Sequence, residues 1–265
     1  MLDFLKNKLP QLVRQFSKHI VCAFILIQTV LLFLALFCNV SSYVNFSIIA
    51  VCFFTSIIFV RQARFNFFIT FAVMFTLISD FFLVLLLPNK DTLKIREIAV
   101  AVFCCAQICY FCYLVENSSG QKLQTHVMVR ILVCFASLIV PMLVLKSLVN
   151  YLVLITMFYF ANLLINCIYA FIDYKKSPLF AWGLLFFILC DIFVGFQQGY
   201  ELGVLGIEQS SFIYKLFFAP FNFIWLFYTI SQCLIVLSMR YNNVPEKGRP
   251  LREEWKYVMA EKQEK

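Results

Sequence analysis

Apolar runs of about one bilayer's length alternate along the chain with short polar breaks. A crossing helix needs roughly 20 mainly apolar residues. Eight stretches qualify: 20–38, 43–60, 67–87, 97–115, 131–149, 150–172, 178–197 and 214–239. The runs are continuous and lack strand alternation, which excludes a transmembrane β-barrel. The fifth and sixth runs nearly touch, and Lys146 and Asn150 mark the turn between them. The pattern predicts an all-α, polytopic membrane protein with eight transmembrane helices.

Composition agrees with this pattern. The chain is 63% hydrophobic and 14% charged, with 33 phenylalanines, whereas soluble domains average about 45–50% apolar and 25% charged. A net charge of +8 would suit nucleic acid, but its distribution has another explanation. With the N-terminus inside, 17 of the 22 Lys and Arg fall on the cytoplasmic side, as the positive-inside rule requires. Both termini are thus expected in the cytoplasm, with membrane lipids and not nucleic acid as partners. The expected organisation is a cytoplasmic N-terminal segment (1–19), an eight-helix transmembrane domain (20–240) and a charged cytoplasmic tail (241–265).

Residues 1–19 form either an interfacial helix or a flexible tail. Leu2, Leu5, Leu9, Leu12, Val13 and Phe16 fall near one helical face, but Pro10 interrupts it. The following apolar run lacks a small-x-small cleavage site, so the first span is retained. All eleven cysteines lie within the spans and read as small packing residues. Asn39, Asn45 and Asn117 match the glycosylation pattern but lie too near the bilayer or on the inner side.

Against this background two acidic residues stand out, Asp80 in the third span and Asp191 in the seventh. A charged side chain at bilayer depth costs about 2.5–3.5 kcal/mol even on insertion scales. No lysine or arginine is expected at similar depth. Each aspartate lies 13 residues into its span, counted from Phe67 and Pro178, so both sit roughly 20 Å from the inner end. Gln107, Asn162 and Gln232 fall close to the same level, with Tyr110, Tyr159, Asn166, Tyr228 and Ser231 within about a turn. Interhelical hydrogen bonding is explanation enough for Asn166, Ser231 and the tyrosines taken singly. It does not explain two carboxylates at matched depth.

Two carboxylates facing one low-dielectric cavity cannot both ionise easily, so the pair shares a proton. One then serves as general acid and the other as general base. Such a pair suits hydrolysis by protonation followed by attack of water. It equally suits a proton-coupled small-molecule or lipid transporter, which is the alternative reading. The two histidines, His19 and His126, are expected at cytoplasmic edges, leaving no imidazole for an intramembrane zinc site. No nucleophile elbow, P-loop or dinucleotide fingerprint occurs, and no metal or cofactor is expected. Asp80 with Gln107, and Asp191 with Gln232, recur at an offset of four spans, which suggests a parallel repeat of two four-helix halves.

These segments resemble the lysoplasmalogenase (YhhN-like) family of eight-helix membrane proteins. ISDFFLVLL (78–86) is similar to that family's G/S-D-x-x-L stretch, and FCCAQICYFCYL (103–114) to its F-x-x-x-H-x-x-Y segment. WGLLFFILCDIF (182–193) resembles G-x-x-x-F-x-x-S-D, and LFYTISQCLIVLS (226–238) the tyrosine-then-Q-x-L-I ending. The resemblance implies cleavage of the vinyl ether bond of a lysoplasmalogen to a fatty aldehyde and a glycerophospho-base. Asp80 and Asp191 would be the catalytic acid–base pair, their individual roles unassigned. Gln107, Tyr110, Tyr159, Asn162, Tyr228 and Gln232 would orient the lysophospholipid or water. Gln107 stands where the family commonly has histidine, and Cys190 where it has serine. Glutamine can orient water but cannot transfer a proton at neutral pH, so a changed substrate would show here. A bacterial plasma membrane is the expected setting.

Overall fold

A computed structural model describes residues 2–38, 41–60, 66–87, 93–117, 123–146, 149–201, 203, 208–209, 211–218 and 221–241, with only the backbone course for 2–17. The charged tail and the asparagine at position 39 lie outside these residues. The described elements are helical. They run α1 (Leu2–Phe37), α2 (Ser42–Phe59), α3 (Asn66–Asp80) continued by a π-helical segment (Phe81–Leu86), α4 (Leu93–Asn117), α5 (Leu123–Leu145), α6 (Tyr151–Ile172), α7 (Pro178–Glu201), α8 (Phe212–Phe217) and α9 (Phe223–Tyr241). Eight of these segments are long and apolar enough to cross a membrane, so the protein is an integral membrane protein of the expected class.

Where the chain turns, local chemistry explains the break. Lys146 adopts φ +44°, and Asn150 caps α6 by accepting from the Val153 amide at 2.9 Å. This is the turn expected between the fifth and sixth spans. Ser211 caps the short α8 through the Tyr214 amide at 3.1 Å.

The fifth and eighth spans differ most from expectation, while the fourth begins four residues earlier, at Leu93, and the seventh ends four later, at Glu201. The fifth span is Gln124–Val144, shifted inward from 131–149, because the helix continues through His126 and Arg130 instead of beginning after them. Both side chains find partners between α4 and α6, as described below. The eighth span begins at Phe223 and not at 214, with α8 forming a separate short helix before it. Pro220 falls between the two in sequence, and a proline inside a helix removes an amide donor and crowds the preceding turn.

The most extensive helix interfaces are α3 against α4 and α7 against α9. Gly183 allows the second of these. A Cβ there would lie 2.7 Å from Ile235 Cγ1 and 3.2 Å from the Ser231 carbonyl oxygen. Lipid tails are as apolar as leucine, so helices in a bilayer associate by close packing and interhelical hydrogen bonds, and small residues permit the closest approach. α9 also packs on α1, α2 and α3, and α6 joins α4 to α7, whereas α5 packs chiefly on α6. The outer surface is rich in exposed apolar side chains such as Leu26, Leu132 and Val144, a surface suited to lipid contact. All eleven cysteines are free thiols.

Candidate functional site

Asp80 closes α3 at the point where the backbone passes into the π-helical segment Phe81–Leu86. π-helical turns are rare and occur mostly at functional sites. The preceding Ser79 donates to the Ala99 carbonyl on α4 at 2.7 Å, which fixes the end of α3 against its neighbour. Asp80 is only 5% exposed. Its Oδ2 accepts a hydrogen bond from the Tyr228 hydroxyl on α9. Asp191, half-buried on α7, accepts from the Tyr159 hydroxyl on α6 at 2.6 Å. Each carboxylate thus has one tyrosine donor.

Aromatic rings join the two tyrosines. Phe187, one turn before Asp191 on α7, packs edge-on against Tyr228 at 6.0 Å and against Phe103 at 6.1 Å. Phe103 in turn lies 5.5 Å from Tyr159. The wall Tyr159–Phe103–Phe187–Tyr228 therefore runs from one aspartate's donor to the other's. It is a rigid apolar surface beside two carboxylates.

The remaining polar residues divide into two groups. On α6, Tyr159, Asn162 and Asn166 repeat at helical spacing along one face. Asn166 donates to the Gln107 side-chain oxygen at 2.9 Å and to its backbone oxygen at 3.0 Å. Both asparagine oxygens accept from Arg130, Nη1 to Asn162 and Nη2 to Asn166, each at 2.7 Å. Arg130 also lies over the Phe111 ring at 4.3 Å. The second group is on α9, where Ser231 and Gln232 are fully buried. Among the described residues, the Ser231 hydroxyl, both Gln232 amide atoms and the Gln107 Nε2 have no hydrogen-bond partner. Neither glutamine bonds to an aspartate. Tyr110 is buried, its ring 5.6 Å from Phe180.

Arg130 corrects the expectation that no cation reaches the polar layer. The apolar run starting at Ile131 obscured it, because the arginine looks like the last loop residue. His126, two residues into the fifth span, is only 2% exposed because it stacks on Tyr169 at 3.6 Å. The helical spacing of His126, Arg130 and Cys134 could have revealed this face. Phe103 and Phe187 carried no individual signal among 33 phenylalanines. Among the described residues, no three His, Cys, Asp or Glu side chains gather as a metal site would need.

Two carboxyl side chains, each paired with a tyrosine, within a bundle of eight helices long enough to span a membrane define a polytopic membrane protein with acidic groups in its interior. The chain belongs to the YhhN family, whose model matches residues 40–239. That family includes lysoplasmalogenases, and the matched region contains both aspartates and both tyrosines. No curated protein and no solved structure matched the chain.

Proposed function

We propose that the protein hydrolyses the vinyl ether bond of a lysoplasmalogen, with Asp80 and Asp191 as its acid–base pair. The observation that supports this most directly is the pairing of each aspartate with a tyrosine donor, the two tyrosines being joined through Phe103 and Phe187. Family membership supplies the substrate class.

The pair holds one proton between two carboxyls. The protonated member gives its proton to the vinyl carbon one position removed from the ether oxygen. The double-bond electrons form the new C–H bond, leaving an oxocarbenium at the carbon bearing oxygen. Water adds to that carbon, and its spare proton passes to the ionised carboxylate, so the pair is left with one proton again. The hemiacetal then collapses. Its hydroxyl proton is transferred to the ether oxygen as the C–O bond breaks, releasing a fatty aldehyde and the glycerophospho-base. General acid–base catalysis of this kind contributes about 10²- to 10⁴-fold. Tyr159 and Tyr228 hold the carboxylates in register, and the buried amides of Gln107 and Gln232 are available to orient water. The enzyme would work in a bacterial plasma membrane, on lipids entering sideways from one leaflet.

The test is aldehyde release from a lysoplasmalogen by purified protein in detergent, comparing wild type with Asp80→Asn and Asp191→Asn. Turnover should fall at least about 100-fold in both variants. Equal turnover in all three proteins would end the proposal.

A further inference from the structure

A cavity of about 360 Å³ lies where α7, α8 and the start of α9 meet. Phe193, Phe217, Phe221, Phe223 and Trp225 line it, together with two amides and one isoleucine, and no charged side chain is among the lining residues. The rings brace one another, Phe193 at 4.7 Å from Phe217 and 5.3 Å from Phe223, with Phe221 4.9 Å from Phe223. Gln197 closes the wall by donating to the Phe217 carbonyl at 3.0 Å, which ties α8 to α7. Asn222 accepts from the Trp225 amide at 3.4 Å at the entry to α9.

From this we infer that the cavity seats the quaternary ammonium headgroup of the substrate, so that choline lysolipids are preferred over ethanolamine ones. The inference rests on the lysolipid reading above. Ring faces carry partial negative charge and attract cations, most strongly when the cation is desolvated. The cavity is partly open, so a primary ammonium there keeps some of its water, but among the lining residues it meets no carboxylate to replace the hydrogen bonds it gives up. A trimethylammonium has no N–H to satisfy, so ring faces alone suffice. The volume also fits, being within the roughly 300–1,000 Å³ of small-molecule sites and adequate for a headgroup.

Position makes the same argument. Phe193 and Gln197 follow Asp191 by two and six residues on α7, or about 3–9 Å along the helix axis. Trp225 packs edge-on against Tyr228 at 5.6 Å, and Tyr228 holds Asp80. In a choline lysoplasmalogen ten bonds separate the reacting vinyl carbon from the ammonium nitrogen, about 12 Å when extended. A headgroup in the cavity therefore brings the vinyl ether to the carboxylates.

The experiment uses full-length protein in maltoside micelles with Trp182→Phe and Trp255→Phe, leaving Trp225 as the reporter. It is titrated with lysophosphatidylcholine and lysophosphatidylethanolamine of one chain length, and with phosphocholine. The expected result is saturable change in Trp225 emission, half-complete at roughly tenfold lower concentration for the choline lipid. Phe221→Leu, or Phe217→Leu should the first not fold, should bring the two lipids within about twofold. Phosphocholine should require at least about 100-fold more, lacking the chain. Equal half-saturation for the two lipids would overturn the headgroup site. So would a choline preference unchanged in the leucine variant, or phosphocholine as potent as the lipid. Vinyl ether hydrolysis measured alongside separates the two readings. A choline preference without hydrolysis removes the reaction and keeps the site. Hydrolysis without a choline preference removes the site alone.

Discussion

Tyr228 on α9 donates a hydrogen bond to Asp80, 148 positions earlier on α3. The bond couples the chain's first buried carboxylate to its last crossing helix. It also makes that carboxylate's geometry depend on a hydroxyl that a phenylalanine would lack.

Tyr228→Phe should therefore lower vinyl ether turnover roughly 10- to 100-fold, the range for losing a hydrogen bond to a charged group. The ring contacts with Phe187 and Trp225 remain, so thermal unfolding in detergent should change little. Tyr159→Phe should behave alike through Asp191. Wild-type turnover in both variants would show that the tyrosines are not part of the site.

Arg130→Met should destabilise the protein by about 1–3 kcal/mol, because the Asn162 and Asn166 oxygens lose their donors while still buried. Combining it with Asn166→Leu should cost less than the sum of the two single changes, as expected of partners in one network. Thermal melts of the four proteins provide the cycle. Strict additivity would argue that the contact has no energetic consequence.

His126→Phe should leave stability unchanged or raise it by about 1 kcal/mol. The ring can still stack on Tyr169, and two buried ring nitrogens with no hydrogen-bond partner among the described residues are removed. His126→Ala loses the stacking and should melt lower. A lower melting temperature for the phenylalanine variant would mean that His126 makes a polar contact of value.

Gly183→Val should cost about 1–3 kcal/mol through overpacking of α7 against α9. Ile235→Ala should recover part of that loss by removing the nearest side-chain atom, while the backbone contact at 3.2 Å remains. Because Gly183 and Asp191 are eight residues apart on α7, turnover should fall along with stability. A fully active, fully stable valine variant would refute the close approach.

Much of the site was legible before any coordinates. Asp80 and Asp191 are conspicuous because hydrocarbon tolerates few charges, and helical rise alone put them at one level. Arg130 was less legible. Arginine at the edge of an apolar run reads as a loop residue, and only the groove between α4 and α6 shows that it points into the bundle. The π-helical turn after Asp80 has no signature in FFLVLL.

The sequence by itself determined the class of fold, since eight apolar runs of bilayer length admit few other structures when every backbone amide must be satisfied within its own helix. It also determined the two acidic positions and the inventory of polar groups near them. Only the tertiary structure decided the pairings: Tyr228 with Asp80, Tyr159 with Asp191, Arg130 with two asparagines, and Phe187 against both Phe103 and Tyr228. The physical reason is that depth along a helix follows from counting residues, whereas the neighbour across a helix interface depends on rotation and on close approaches such as the one at Gly183.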